Sequence, residues 1–123
     1  MPVRSLTSSV LKWPSRSQVD AAARRWALRE AACHPKLRRI GYFGSYARGD
    51  WGVGSDLDLV AVVDTANERF EERPLSWNLN ELLVPAQILV YTFPEWQRLQ
   101  QLGNRFAREL RHDTVWIYAR QTN

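Results

Sequence analysis

The sequence predicts a mixed α/β domain in which a central sheet of about four strands is flanked by helices. Short apolar runs bounded by turn residues, typical of buried strands, alternate along the chain with longer segments of helical periodicity. The length of 123 residues suits one domain, and a hydrophobic content of 45% suffices for one buried core. We therefore expect one folded domain over residues 17–123, preceded by a loose arm over residues 1–16.

The first predicted helix runs from about Gln18 to Cys33. Ser17 is its expected N-cap, because a serine side chain accepts a hydrogen bond from a free N–H of the first turn. Pro35 follows the helix and cannot continue it. Cys33, which follows two alanines, is expected to be a small core residue, and His34 a surface residue. An apolar stripe at helical spacing comprises Val19, Ala22, Ala23, Trp26 and Ala27.

Four apolar runs have the length and composition of strands. They are Leu37–Phe43, Leu57–Val63, Ala86–Tyr91 and Val115–Tyr118. Residues 67–83 indicate helical pieces interrupted by Pro74, because proline breaks an α-helix. Two further helices are expected, from about Pro94 to Leu102 and from about Phe106 to Arg111.

Positive charge is concentrated in the first third of the chain. Residues 1–40 carry a net charge of +7 and residues 41–123 a net charge of −3. A basic segment favours an acidic partner or a polyanion such as nucleic acid, but the solvated face of a helix accounts for the same charges. The same two explanations apply to Arg105, Arg108 and Arg111, which have helical spacing. Charge alone therefore gives weak support to a nucleic-acid partner.

Cys33 is the only cysteine, which excludes a disulfide within the chain and a cysteine zinc site. No apolar run approaches the roughly 18 residues that a membrane-spanning helix needs. The first residues also lack the apolar core of a signal peptide. We expect a cytoplasmic protein that has no membrane partner.

Two aspartates, Asp56 and Asp58, lead into the second predicted strand. Positions i and i+2 of a strand share a face, so both carboxylates point one way while Leu57 and Leu59 turn into the core. Carboxylates this close repel each other unless a proton or a cation lies between them. Oxygen ligands with no His or Cys nearby suit Mg²⁺ or Mn²⁺. A turn cap at Asp56 and a salt bridge at Asp58 would account for the pair without a metal.

The dipeptide Gly44-Ser45 ends the first predicted strand, and a short helix is expected to follow it. Free N–H groups at such a turn, together with the serine hydroxyl, can hold a phosphate oxygen. Glycine lets a ligand approach the backbone closely. An ordinary strand-to-helix turn is the alternative, but combined with the acidic pair the turn indicates transfer of a phosphate-bearing group. The chain has no P-loop motif.

The stretch GSYARG at residues 44–49, followed by SDLDL at residues 55–59, resembles the signature of the DNA polymerase β-like nucleotidyltransferases. The match is closest to the minimal nucleotidyltransferase (MNT) domains of prokaryotes. It extends over about residues 20–119, since "ILVYTFPEW" and "NRFARELRHDTVWIY" are also similar to the downstream part of those domains. The resemblance implies a polymerase β-like nucleotidyltransferase fold over residues 17–123.

The resemblance also implies a mechanism and a set of site residues. A nucleoside triphosphate, ATP or another NTP, would bind with its phosphates on Gly44 and Ser45. Asp56 and Asp58 would be catalytic and would hold two Mg²⁺ ions, while an acceptor hydroxyl attacks the α-phosphorus and pyrophosphate leaves. Two roles remain open for Arg48: it adds positive charge near the phosphates, or it braces the turn.

The chain departs from the family pattern at one position. Active members carry a third carboxylate on the next core strand, which helps to hold a metal and acts as general base. The matching position here is Gln87, whose amide oxygen can ligate a metal but cannot accept a proton at neutral pH. Either catalysis is slow, or another acid replaces the base; Asp50 and Glu81 are candidates, whereas Asp64 lies at the far end of its strand.

Two functions follow from the resemblance. The first is an Mg²⁺-dependent nucleotidyltransferase that adds AMP to a hydroxyl, such as the antitoxin of a HEPN/MNT toxin–antitoxin pair whose partner is a helical HEPN-type protein. The second is a catalytically impaired binding module that acts on its partner by contact alone, which Gln87 favours. Trp51, in the loop between the two motifs, either stacks on a nucleotide base or covers the core.

Overall fold

A computed structural model describes residues 13–121 and confirms the predicted α/β fold, a four-stranded mixed sheet flanked by helices. The strand order within these residues is β3-β2-β1-β4. β1 is antiparallel to both β2 and β4, whereas β2 and β3 are parallel. The strands are β1 (Leu37–Phe43), β2 (Leu57–Val63), β3 (Ala86–Thr92) and β4 (Val115–Ala119).

Within residues 13–121, the helices lie where they were predicted and differ at their ends. They are α1 (Arg16–Cys33), α2 (Ser45–Arg48), a 3₁₀ helix (Phe70–Ser76), α3 (Phe93–Leu102) and α4 (Arg105–Asp113). The expected N-cap Ser17 is wrong, because Ser15 caps α1 through a capping box with Gln18. Residues 1–12 of the predicted arm lie outside the described residues.

The connection from β2 to β3 contains Pro74 inside the 3₁₀ helix, where helical pieces broken at this proline were predicted. Buried Arg73 fastens this helix to the sheet: its guanidinium donates to the carbonyl of Val90 at 3.0 Å and to Glu95 at 2.7 Å. Such bonds satisfy a buried cation that would otherwise be costly. Arg73 therefore links the connection between β2 and β3 to strand β3.

The two faces of the sheet are buried in different clusters. On the α1 face, Trp26, Leu57 and Leu59 are completely buried, as the sequence predicts for the leucines. On the opposite face, Val60 and Val62 pack beneath α3 and α4. This second face is the one that Asp58 shares, because side chains alternate along β2.

Glycine is required where β4 approaches β1. A Cβ on Gly41 would lie 2.6 Å from Thr114 Cγ2 and 2.8 Å from the carbonyl oxygen of Val115. Both contacts are too short for real atoms, so only glycine allows the strands to pair at this position.

Two expectations about the end of α1 are wrong. Cys33 is exposed and not part of the core. His34 is half-buried, and its ring is stacked on Trp77 with centroids 3.8 Å apart. Within residues 13–121, no helix is both long and apolar enough to cross a membrane.

Candidate active site at the Gly44–Asp58 edge

The turn after β1 has a backbone that only glycine adopts readily. Gly44 has φ 73° and ψ −151°, a combination that is strained for any residue with a Cβ. Its carbonyl accepts hydrogen bonds from the N–H groups of Ala47 and Arg48 at 3.1 and 3.0 Å, which starts α2 at Ser45. The first N–H groups of a helix have no acceptor within it, so those of Ser45 and Tyr46 are available to a ligand.

Gly44 lies directly against the acidic strand. A Cβ at this position would collide with the carboxylate oxygen Oδ2 of Asp58. The contact arises because Phe43, the preceding residue, is paired with Asp58 in the antiparallel register of β1 and β2. The structure thus brings together the turn and the acidic motif, which are separated by a loop in the sequence.

Asp58 is half-buried, and Asp56 is exposed just before the strand begins. Burial raises the pKa of Asp58 above the usual value of 3.8, and the nearby charges of Asp56 and Glu109 raise it further. Arg48 acts in the opposite direction but is not the dominant cause. A cation beside Asp58 would oppose these effects and stabilise its charged form.

Gln87 is in register with Asp58 across the parallel pair β2–β3. Its side chain is exposed. It lies at the same end of the strands as Gly44, because β2 and β3 both start there. The neutral amide thus occupies the position at which the family resemblance implies a third carboxylate. Its role remains a prediction.

Arg48 makes two ion pairs that brace the turn. Its Nε donates to Asp50 at 3.2 Å, and its Nη1 donates to Glu109 at 3.0 Å. The contact with Glu109 joins the turn after β1 to helix α4. Arg48 is nevertheless well exposed, so a ligand at the turn would also have access to its charge.

Glu109 is the residue that sequence reasoning missed. It lies on α4, far from both motifs in the sequence, and its charge contributes to the raised pKa of Asp58. Its only signal in the sequence is an acid among the arginines of a short helix. Only the tertiary contact of α4 with the sheet brings it to the edge.

The other acids considered as replacements for the general base are paired with arginines. Asp50 is ion-paired with Arg48, and Glu81 with Arg29. Asp64, at the opposite end of β2, accepts hydrogen bonds from Arg38 and Arg120. Of these acids, only Asp50 lies near the turn.

Trp51 covers part of the core. Its ring is stacked on that of buried Tyr46, with centroids 5.4 Å apart and planes inclined by 8°. Trp13 donates a hydrogen bond to the hydroxyl of the same tyrosine at 3.2 Å. This stacking supports the second of the two roles predicted for Trp51.

The residues at this edge fit a hard divalent cation. Asp56, Asp58 and Gln87 offer carboxylate and amide oxygens, the donors that Mg²⁺ and Mn²⁺ prefer. Within residues 13–121, no group of three His, Cys, Asp or Glu side chains could hold a metal ion by itself. Metal binding here would therefore need oxygen atoms from the amide, from a nucleotide or from water.

Comparison with protein families decides the assignment of the chain. The model of the nucleotidyltransferase domain family matches residues 27–120, which include both motifs and all four strands. The chain belongs to this family. The match confirms the resemblance identified from the GSYARG and SDLDL stretches. A search of curated proteins finds no significant match to this nucleotidyltransferase domain.

Two solved structures share its fold. One, from Sulfolobus solfataricus, is assigned as a nucleotidyltransferase; it is 22% identical, with a TM-score of 0.63, and the alignment covers 85% of this chain and 84% of that one. The other is a toxin–antitoxin complex with AMP-PNP; it is 17% identical, with a TM-score of 0.54, and the alignment covers 80% of this chain and 74% of that one. At these identities the likeness concerns the fold alone.

Proposed function

We propose that this nucleotidyltransferase domain transfers AMP from ATP to an acceptor hydroxyl in the cytoplasm, with Mg²⁺ or Mn²⁺ as cofactor. One observation carries the proposal: Gly44 lies so close to Asp58 that a Cβ would collide with the carboxylate. A phosphate chain on the turn would therefore lie beside the acids that hold the metal. This arrangement is what nucleotidyl transfer needs, because its catalysis depends on positioning and charge neutralisation.

Each residue at the edge has a distinct task in this proposal. Backbone N–H groups after Gly44 and the hydroxyl of Ser45 bind phosphate oxygens. Asp56 and Asp58 hold the divalent cation, and Gln87 offers a neutral ligand beside them. A bound Mg²⁺ neutralises phosphate charge and makes the α-phosphorus more susceptible to attack. Arg48, which is braced by Glu109, keeps the turn in place and adds positive charge near the phosphates.

The proton of the attacking hydroxyl needs an acceptor, and Gln87 cannot provide one. Glu109 is our candidate for that role, because its carboxylate is close enough to affect the pKa of Asp58 and is less than one-third exposed. Its present partner, Arg48, would have to release it or share it with a phosphate. Substituting Glu109 with Gln keeps the shape of the side chain and removes the base.

A protein partner of HEPN type is the acceptor that we favour. The nucleotidyltransferase domain spans residues 27–120, and in this proposal the acceptor hydroxyl lies on a separate protein. The fold is similar to that of a chain in a toxin–antitoxin complex with AMP-PNP. This similarity supports our proposal that the domain acts in such a pair, as the antitoxin.

Gln87 supports a second candidate function. Without a third charged ligand the metal is held less tightly, and an enzyme that had lost its general base would turn over about a hundredfold more slowly or worse. Such a domain would neutralise its partner by binding alone. The two functions differ in whether AMP is transferred, and this can be measured directly.

The test incubates the protein with α-labelled ATP, Mg²⁺ and a candidate HEPN-type protein. Transfer is expected to leave label on the partner and to be lost in Asp56→Ala, Asp58→Ala and, if Glu109 is the base, Glu109→Gln. Asp64→Asn is the matched control, since it removes one carboxylate from the opposite end of the same strand. Absence of label, with partner binding unchanged in all variants, would refute the enzyme and support the binding module.

A further inference from the structure

A cavity lies on the sheet face that α3 and α4 cover, beside the edge strand β4. Its volume is about 320 Å³, and it is lined by Arg39, Trp96, Gln100, Arg111 and Trp116. The proposed catalytic residues are absent from this lining. Arg39 precedes Phe43 by four residues in β1, which places the cavity about 13 Å along the strand from the Asp58 edge.

Gln100 contributes a buried amide that has no partner. Both its Nε2 and its Oε1 are buried, and neither makes a hydrogen bond within the described part of the chain. Buried polar side chains in proteins nearly always have a partner, so an amide that lacks one indicates a missing ligand or water. Because a donor and an acceptor are both unpaired, the missing group must itself offer both an acceptor and a donor.

Arg39 contributes a cation that lacks a counter-ion. Its guanidinium lies 4.0 Å from the ring centroid of Trp116 and 5.5 Å from that of Trp96. No carboxylate lies within salt-bridge distance of it among residues 13–121, whereas its neighbour Arg38 is paired with Asp64. Burial and the charge of Arg38 lower the pKa of Arg39, as expected for a cation that is poorly compensated.

Arg111 adds a second cation at the mouth of the cavity. Its side chain is exposed, and within the described residues it makes no ion pair. A planar guanidinium suits carboxylate and phosphate groups, to which it can donate two parallel hydrogen bonds. Two such groups facing one cavity favour an anionic ligand over a neutral one.

We propose that this cavity binds a small organic anion that carries a hydroxyl group, either a phosphate ester or a hydroxycarboxylate. The anionic group lies between the guanidinium groups of Arg39 and Arg111 and accepts their hydrogen bonds. The Nε2 of Gln100 donates to an oxygen of the ligand, and its Oε1 accepts from the hydroxyl. The two indole rings form the apolar wall against which the carbon skeleton packs. This site is separate from the nucleotide site and does not depend on its activity.

The indole N–H signals of Trp96 and Trp116 provide a local measure of binding by NMR. The probes are glycerol 3-phosphate for the ester and malate for the hydroxycarboxylate, with glycerol as the uncharged control. We expect one of the two anions to shift both signals in a saturable way, and glycerol to have no effect. The anion that saturates at the lower concentration identifies the ligand class.

Three variants test the assignment. Arg111→Gln changes an exposed residue and should fold; it should weaken binding by about tenfold, the effect of losing one charged hydrogen bond. Gln100→Leu should weaken binding similarly. Arg105→Gln, which removes an exposed arginine of the same helix outside the cavity, should leave binding unchanged. The proposal fails if neither anion shifts the indole signals, or if Arg105→Gln weakens binding as much as Arg111→Gln.

Discussion

Strand β2 has an aspartate near each end, and the two carboxylates have neighbours of opposite charge. Asp64 accepts hydrogen bonds from Arg38 at 2.8 Å and from two nitrogens of Arg120 at 2.8 and 3.0 Å. Asp58 has no ion pair within the described residues and lies near the acidic Asp56 and Glu109. The pKa of Asp64 is accordingly lowered by its arginines, and that of Asp58 is raised by burial and by its acidic neighbours.

We interpret this difference as that between a structural acid, Asp64, and the proposed metal ligand, Asp58. The charge of Asp64 is neutralised within the protein, so it stabilises the fold and is not available to a cation. The charge of Asp58 is a cost to the folded state that a bound cation would remove. Perturbed carboxylates of this kind are common at functional sites.

Asp58→Asn should produce the largest effect, because it removes the proposed metal ligand without changing the shape of the side chain. We expect AMP transfer to fall by about a thousandfold, as measured with labelled ATP.

The variant should be at least as stable as the parent at neutral pH in metal-free buffer. The raised pKa of Asp58 means that its stabilising contribution is present below pH 3.8 and is lost as the pH rises through the folded-state pKa. A clear drop in melting temperature at neutral pH would contradict this reading of Asp58.

Gln87→Asp should increase the difference in uncompensated negative charge between the two ends of β2. A third carboxylate beside Asp58 would bind Mg²⁺ more tightly and could accept the proton of the acceptor hydroxyl. We expect transfer to rise by about a hundredfold and the affinity for Mg²⁺, measured calorimetrically, to rise with it. Gln97→Asp, at an exposed position on α3, is the matched control. Equal Mg²⁺ affinity in the two variants would place Gln87 outside the metal site.

Gly44→Ala tests the close approach between the turn and Asp58. The alanine would be strained at φ 73° and would push against the carboxylate. We expect a loss of about 1–3 kcal/mol in the free energy of unfolding, measured by denaturant titration. Gly52→Ala is the control, since nothing lies near a Cβ there and its φ is not positive. An equal cost in both variants would mean that the turn is not strained.

Asp64→Asn should have the smallest effect, and its pH dependence should distinguish it from Asp58→Asn. The lowered pKa of Asp64 means that its stabilising contribution is present above pH 3.8 and is lost as the pH falls through the folded-state pKa. The variant should melt slightly below the parent at neutral pH, and the difference should vanish in acid. Transfer activity should not change, and a loss of activity would show that the two ends of β2 are coupled.

The sequence predicts the strands of this domain better than its surface contacts. The bounds of β1 and β2 agree with prediction, because apolar runs between turn residues define buried strands. The predicted start of α1 was wrong, although the sequence contains the capping box that marks it. Ser15 and Gln18 form this capping box, whereas Ser17, which has the residue type of an N-cap, lies inside the helix. Cys33 was placed in the core because its neighbours are small, whereas its position at the end of the helix decides its exposure.

The motifs locate the proposed catalytic residues, but not Glu109 beside them or Gln100 in the separate cavity. Register places Gln87 beside Asp58, as the strand order of the family implies. Glu109 and Gln100 could not be predicted, because their importance depends on how α3 and α4 lie on the sheet. A contact between distant elements leaves no periodic pattern in the sequence, and neither residue belongs to the GSYARG or SDLDL motif.

The pairing of β1 with both β2 and β4 has a consequence for synthesis of the protein. β4 follows the other three strands, so one edge of β1 has no neighbour until the segment Val115–Ala119 has left the ribosome. An open, largely apolar strand edge is a template for aggregation. Nascent chains that stall before this segment would expose that edge, and chaperone capture should be most frequent at those lengths.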